Sequence, residues 1–183
     1  MARRTALALL VVLLVLSFTS SSVLAGSEPT YILPWPEGRV FTVSSDADIY
    51  IYWYWLAKNV GLVRVYLDHT TETLTLLREG SPTPVFSLSS EQVRQAYSPP
   101  SWTPPEWTFW DCGQLRFAFS RWEYHVGPLE EGTYTLVWTW DNEIPVNDGL
   151  HACRDAETGE RLAPPPSLYY GAGSSAVTIV VSD

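Results

Sequence analysis

The sequence predicts an all-β protein: an antiparallel sandwich of about seven strands with one or two short helical insertions. Three observations carry that expectation. Gly132 to Trp140 alternates, with Tyr134, Leu136, Trp138 and Trp140 on one side and Thr133, Thr135, Val137 and Thr139 on the other. This is the pattern of a strand that covers a core and turns its back to water. Ile49 to Trp55 alternates too, but Ile49, Ile51, Trp53 and Trp55 face a row of Tyr50, Tyr52 and Tyr54, so both sides are apolar or aromatic. Such a strand is either covered on both sides or displays a tyrosine ladder, and covering is the commoner arrangement. Finally, turn residues separate the alternating runs and no strand–helix–strand rhythm intervenes, which argues against a parallel α/β sheet.

The amino terminus comes first in chain order. Arg3 and Arg4 precede the apolar run Ala6 to Leu16, and a serine-rich stretch then ends in Val23-Leu24-Ala25. This predicts a secretory signal peptide over residues 1–25, because the run is well short of the roughly 20 residues that span a bilayer and Ala25 suits a signal-peptidase site. An uncleaved anchor is the lesser alternative. Gly26 stands where a lipoprotein would need cysteine, so a freely exported protein, secreted or extracytoplasmic, is expected, with no membrane span after cleavage. Residues 26–38 carry Pro29, Pro34 and Pro36 and read as an extended arm on the surface. Residues 39–183 then form a single domain, a size that supports one substantial core.

Within that domain Arg39 to Ser44 is a strand, and Ile49 to Trp55 follows a polar turn. Leu56, Val60, Val63 and Leu67 recur at helical spacing, although Gly61 and the alternation Val63, Val65, Leu67 pull toward strand. Glu72 to Arg78 and Thr83 to Leu88 flank Glu79-Gly80-Ser81-Pro82 as a hairpin. Ser89 with Gln92 three places on has the form of a capping box, so Ser90 to Tyr97 reads as a short helix. The proline-rich run Ser98 to Glu106 should pass extended outside the sheets. Leu115 to Trp122 is the next strand, with Leu115, Phe117 and Phe119 toward the core and Tyr124 and Val126 continuing it. Asp141 to Ser175 reads as one long loop, with a small hairpin possible inside Leu150 to Leu162, before the last strand, Ala176 to Val181.

The spacing Leu129-x-x-Gly132-x-Tyr134 resembles the tyrosine corner of immunoglobulin-like and fibronectin-like β-sandwiches. In those folds a tyrosine opening a late strand ties down a crossover, so the resemblance implies Greek-key topology. Leu136 occupies the place of the second core cysteine of antibody domains, so the resemblance does not extend to their disulfide. The layout of signal, tryptophan-rich strand, short helix, Gly-x-Tyr corner and Asn-Asp-Gly turn is also similar to small exported bacterial proteins of unknown role. That likeness implies no activity.

Composition excludes some functions. Removing Arg3 and Arg4 from the eleven basic residues leaves nine against twenty acidic ones, a formal charge of −11, which makes nucleic acid an unsuitable partner. The acidic residues are scattered, as on a soluble surface that repels its own copies. Cys112 and Cys153 are the only cysteines, and export to an oxidising compartment predicts that they pair, restraining the unfolded chain by about 4 kcal/mol. Two cysteines without CxxC spacing make a metal pair the weaker reading.

The best binding candidates are Trp102, Trp107 and Trp110, in or beside the proline-rich run, with Tyr169 and Tyr170 late in the chain. Flat rings on a stiff loop bind sugars or partner surfaces at small entropic cost. Core or loop anchoring is the competing and commoner role for such residues, given nine tryptophans in a small domain. Asp141, Asn142, Glu143, Asn147, Asp148, Asp155 and Glu157 offer oxygen ligands of the kind Ca2+ uses, yet their spacing matches no calcium loop, and Asn147-Asp148-Gly149 reads more simply as a turn. No cofactor is therefore expected. His69, His125 and His151 form no HExxH-like pair, there is no Gly-x-Ser-x-Gly elbow, and no carboxylate pair can be singled out. The expectation is a non-catalytic exported module whose partner is a protein or glycan at the cell exterior. A carbohydrate-binding module using Trp102, Trp107 and Tyr169 or Tyr170 is the alternative, and a hydrolase or metal-dependent enzyme whose residues converge only in space is a third. Oligomeric state leaves no mark in the sequence.

Overall fold

The computed structural model describes residues 29–103, 110–111, 116–150, 154–155, 158–160 and 168–183. The predicted signal peptide, Cys112, Cys153, Trp107, Leu115, His151 and Glu157 lie outside the described residues. The described chain is mostly β, with two short helices. In order it runs β1 (Thr30–Ile32), β2 (Val40–Val43), β3 (Ile49–Ala57), α1 (Val60–His69), β4 (Thr70–Arg78), β5 (Pro84–Leu88), α2 (Ser90–Ala96), β6 (Ser101–Trp102), β7 (Trp110–Asp111), β8 (Ala118–Gly127), β9 (Gly132–Asn147), β10 (Arg154–Asp155) and β11 (Leu168–Val181). One sheet has the order β1-β3-β8-β6 and the other β2-β11-β9-β4-β5, while β7 and β10 pair by themselves.

The two larger sheets face each other. Ile32, Ile49, Ile51 and Trp122 from the first meet Leu74, Leu76, Leu136, Val177 and Ile179 from the second in one buried cluster. Each of these aliphatic side chains contributes about 1.5–3 kcal/mol by leaving water. β9 is the central strand of its sheet, and its even-numbered side chains Tyr134, Leu136 and Trp138 point inward, as the alternation predicts. At its start the Tyr134 hydroxyl donates to the Glu130 carbonyl at 2.7 Å, and Leu129 is buried beside it. The Ser89–Gln92 capping box forms in full and starts α2. Asn59 caps α1 by accepting from the Leu62 amide at 3.0 Å, so the ambiguous stretch is helical, with Val63 and Tyr66 as its buried residues.

Several expectations need correction. The sheets are mixed rather than antiparallel, because β1 runs parallel to β3 and β2 parallel to β11. Thus the arm at 26–38 does not merely lie on the surface: Tyr31 and Ile32 pair with Tyr50 and Ile51, and the chain then crosses to the other sheet through Pro34, Trp35 and Pro36. The run predicted to stay outside the sheets adds β6 at an edge, where Trp102 pairs with Ala118. Within β8 the phase is opposite to that expected: Ala118, Ser120 and Trp122 face inward, while Phe119 lies on the other side, opposite Leu56; Phe117, just before the strand, is buried as expected. Trp122 is the largest fully buried side chain in the strand and determines its face. The long loop is also shorter than expected, because β9 runs on to Asn147 and β11 starts at Leu168, bulging once between Tyr169 and Gly171.

Candidate functional site

Strand alternation carries the inward rows of both sheets past the aliphatic core and into aromatic residues. On β3 the row runs Ile49, Ile51, Trp53, Trp55; on β9 it runs Leu136, Trp138, Trp140, Asn142. A cleft of about 240 Å3 opens between these rows. Trp53, Trp55, Trp138, Trp140 and Asn142 line it from the strands, α1 adds Tyr66, the proline-rich crossover adds Trp35, and β11 adds Tyr169.

Ring contacts fix the walls. Trp55 and Tyr66 stack with centroids 4.0 Å apart and planes 1° from parallel, while Tyr169 meets Trp55 edge-on at 5.3 Å. Trp138 lies 4.6 Å from Trp53 and 4.5 Å from Trp140. Trp35 stands at the mouth, 51% exposed, with its ring 6.5 Å from Trp53. Such pairs contribute about 0.5–1.5 kcal/mol beyond area burial. Trp140 has room because its cross-strand partner is Gly173, whose missing side chain admits the indole over the backbone.

Behind the cleft lies a polar knot centred on Glu72, which is only 4% exposed and is the Cα partner of Trp140. Tyr66 donates to its Oε1 and Tyr97 to its Oε2, both at 2.7 Å. Burial raises the Glu72 pKa above the ordinary 4.5, opposed first by the two phenols and then by the indoles of Trp138 and Trp122. Those indole N–H groups stay short of hydrogen-bond geometry. Burial, and then the Glu72 charge, hold the Tyr66 and Tyr97 phenols well above their usual range, so both remain donors. At the rim Tyr169 donates to Asp148 at 3.2 Å, and burial followed by that carboxylate pushes its pKa up to about 12. Asn142 is buried, and its Oδ1 accepts from Thr70 at 2.7 Å.

Among the described residues, Tyr169 is the sequence-predicted binding residue that lines this cleft. Tyr170 points elsewhere, 71% exposed, and Trp102 sits at the β6 edge, 47% exposed. Trp110 lies on β7 with only its backbone described, and Trp107 is outside the described residues. The cleft residues missed in the sequence are Trp35, Trp53, Trp55, Tyr66, Trp138 and Trp140, while Asn142 reads in the sequence only as a candidate oxygen ligand. The signal that could have found them was the excess of indoles along β3 and β9.

A second aromatic surface covers the outer face of the first sheet. Tyr31, Tyr50, Tyr52 and Tyr54 form a row there, with the Tyr31 ring 5.5 Å from Tyr50 and 5.7 Å from Tyr52, and His125 stacked on Tyr50 at 4.5 Å. Tyr31 and Tyr54 are exposed, so β3 displays a tyrosine ladder where covering was the expected arrangement.

The described members of the oxygen-rich stretch form no ligand group. Asp141, Asn142 and Glu143 lie on β9, while Asn147 and Asp148 accept from the Gly149 and Leu150 amides at 2.6 and 2.8 Å and build the turn. His69 lies 3.9 Å from Glu143 and His125 bonds to Asp48. Among the described residues no three His, Cys, Asp or Glu side chains are grouped to hold a metal ion, and no helix is long and apolar enough to cross a membrane. No protein-family model, curated protein or solved structure matches this chain.

Two expected outcomes follow from this packing. A Cβ on Gly173 would stand 2.3 Å from Trp140 Cζ2, so Gly173→Ala must push the indole out of place, with a stability loss of about 1–3 kcal/mol and an altered near-UV circular dichroism signal. An unchanged aromatic spectrum and denaturation midpoint would show that the indole does not rest on this glycine. Because the folded-state pKa of Glu72 is raised, its contribution favours folding below about 4.5 and is lost as pH rises through the folded value. Urea midpoints measured across that range should therefore fall faster with pH for the natural chain than for Glu72→Gln; parallel curves would contradict the shift.

Proposed function

We propose that this chain is an exported, non-catalytic β-sandwich of immunoglobulin-like, Greek-key kind that acts outside the cytoplasm as an interaction module. Its binding site is the aromatic cleft. One observation carries this reading: five indoles and two phenols from both sheets, α1 and the amino-terminal crossover converge on one open cavity instead of closing into core. Wide, preformed aromatic clefts with few polar groups are where proteins seat small ligands and protruding parts of larger partners. Among the described residues the lining holds one amide and two phenols, each already hydrogen-bonded, the unpartnered indole N–H groups of Trp53, Trp55 and Trp138, and no nucleophile–base or carboxylate pair, which favours binding over turnover.

Export is supported by the charge and apolar pattern of residues 1–25. A Cys112–Cys153 disulfide belongs to the same reading. Asp111 and Arg154, the chain neighbours of the two cysteines, are antiparallel Cα partners. Intact-mass analysis of the exported protein should show two hydrogens fewer than the reduced chain; a free-thiol mass would remove the bridge.

Carbohydrate binding is the second reading, favoured by the exposed rings of Trp102 and Tyr170 and by the Tyr31–Tyr54 row. A thermal-shift screen of small ligands and soluble glycans separates the two. Hits on the natural chain should disappear in Trp140→Leu and persist in Trp102→Ala and Tyr170→Ser. Hits that vanish only in the latter pair would move the site to the exposed rings.

A further inference from the structure

The chemistry of the cleft selects among ligands. A sugar ring brings several hydroxyls that need acceptors as well as donors on burial, yet both lining phenols already donate to carboxylates, the Asn142 Oδ1 already accepts from Thr70, and the buried unpartnered groups of the lining are indole N–H donors, those of Trp53, Trp55 and Trp138. No lining residue among those described is positively charged. Aromatic rings that surround a cavity attract cations through their negative faces. A phenol that donates to a carboxylate is more electron-rich, which describes both Tyr66 and Tyr169.

The surroundings add a counter-charge. Both Glu72 oxygens accept hydrogen bonds from phenols, which favours the carboxylate, while burial penalises that charge, a penalty that a cation in the adjoining cleft would offset. None of the ion pairs among the described residues includes it. A buried anion lacking a cationic partner is costly. Here it sits directly behind a cleft wall, hydrogen-bonded to Tyr66 and paired across the strands with Trp140. The acidic chain, at formal charge −9, also draws cations toward its surface. A volume of about 240 Å3 falls below the roughly 300–1,000 Å3 of sites that enclose drug-sized ligands and suits a compact head group.

We propose that the cleft seats a quaternary ammonium group, such as the trimethylammonium end of choline or glycine betaine, against its indole and phenol rings, with the Glu72 carboxylate behind Tyr66 as counter-charge. The methyl groups of such a cation are apolar and need no hydrogen bonds, so they can lie against the ring faces without asking the lining for a partner. This inference rests on the cleft being the binding site.

Calorimetric titration of the natural chain with choline, with tetramethylammonium and with 3,3-dimethylbutan-1-ol, the uncharged isostere of choline, tests it. Both cations should bind at least about tenfold more tightly than the isostere. Glu72→Gln should weaken choline about tenfold while leaving the isostere unchanged, and Trp140→Leu should weaken all three. Equal affinity for choline and its isostere would overturn the cation proposal and leave the cleft as the binding site. Tighter binding of glucose or cellobiose would overturn it in favour of a sugar. No binding of any of these probes would overturn it as well, while the ligand screen above would still judge the cleft independently. Should Glu72→Gln fail to fold, the comparison of ligands on the natural chain decides alone.

Discussion

The two-residue period of β9 is the constraint on which the rest of the molecule depends. This one strand pairs with β4 on one side and β11 on the other, and its inward row runs Tyr134, Leu136, Trp138, Trp140, Asn142. The first ties the entering turn, the second fills the aliphatic core, the next two wall the cleft and the last closes it with a bonded amide. A slip of one residue would turn all five outward and bring a threonine-rich face into the centre. Corner, core and cleft are therefore set together.

Packing along the sandwich changes with side-chain size. Where Ile49, Ile51, Leu74 and Leu136 meet, branched aliphatic chains fill the space between the sheets. Where Trp53, Trp55, Trp138 and Trp140 meet, the rings touch each other at their edges and tilted faces and leave a gap. Gly173 lets Trp140 lie on the backbone, and the crossover that delivers Trp35 is what turns the amino-terminal arm from a surface strap into part of both sheets. The cleft is thus a product of the fold's ordinary packing, built from residues that elsewhere would be core.

Glu72 stands out against that apolar setting. Its position on the inner row of β4, between Thr70 and Leu74, reads in the sequence as a solitary polar residue in an alternating strand. In the folded chain two phenols from different elements, Tyr66 of α1 and Tyr97 after α2, bond one oxygen each. Buried carboxylates are retained where their hydrogen bonds define a unique arrangement or their charge is used. Holding α1 and the end of α2 to β4 accounts for the first role, and an ammonium ligand in the adjoining cleft would account for the second.

Local patterns determined much of this protein. The alternation of β3 and β9, the hairpin of β4 and β5, the capping box before α2, the turn at Asn147 to Gly149 and the Tyr134 corner were all legible because each depends on neighbours within a few residues. Tertiary structure alone decided the rest. The parallel pairing of β1 and β2 joins partners distant in sequence; the phase of β8 follows from the burial of Trp122; and the ends of β9 and β11 come from each extending the other past the point where hydrophobic alternation stops. The site was hidden for the same reason. Trp53 and Trp138 alternate identically whether they close a core or line a cleft, and only the separation of the two sheets, set by every other contact between them, distinguishes the two.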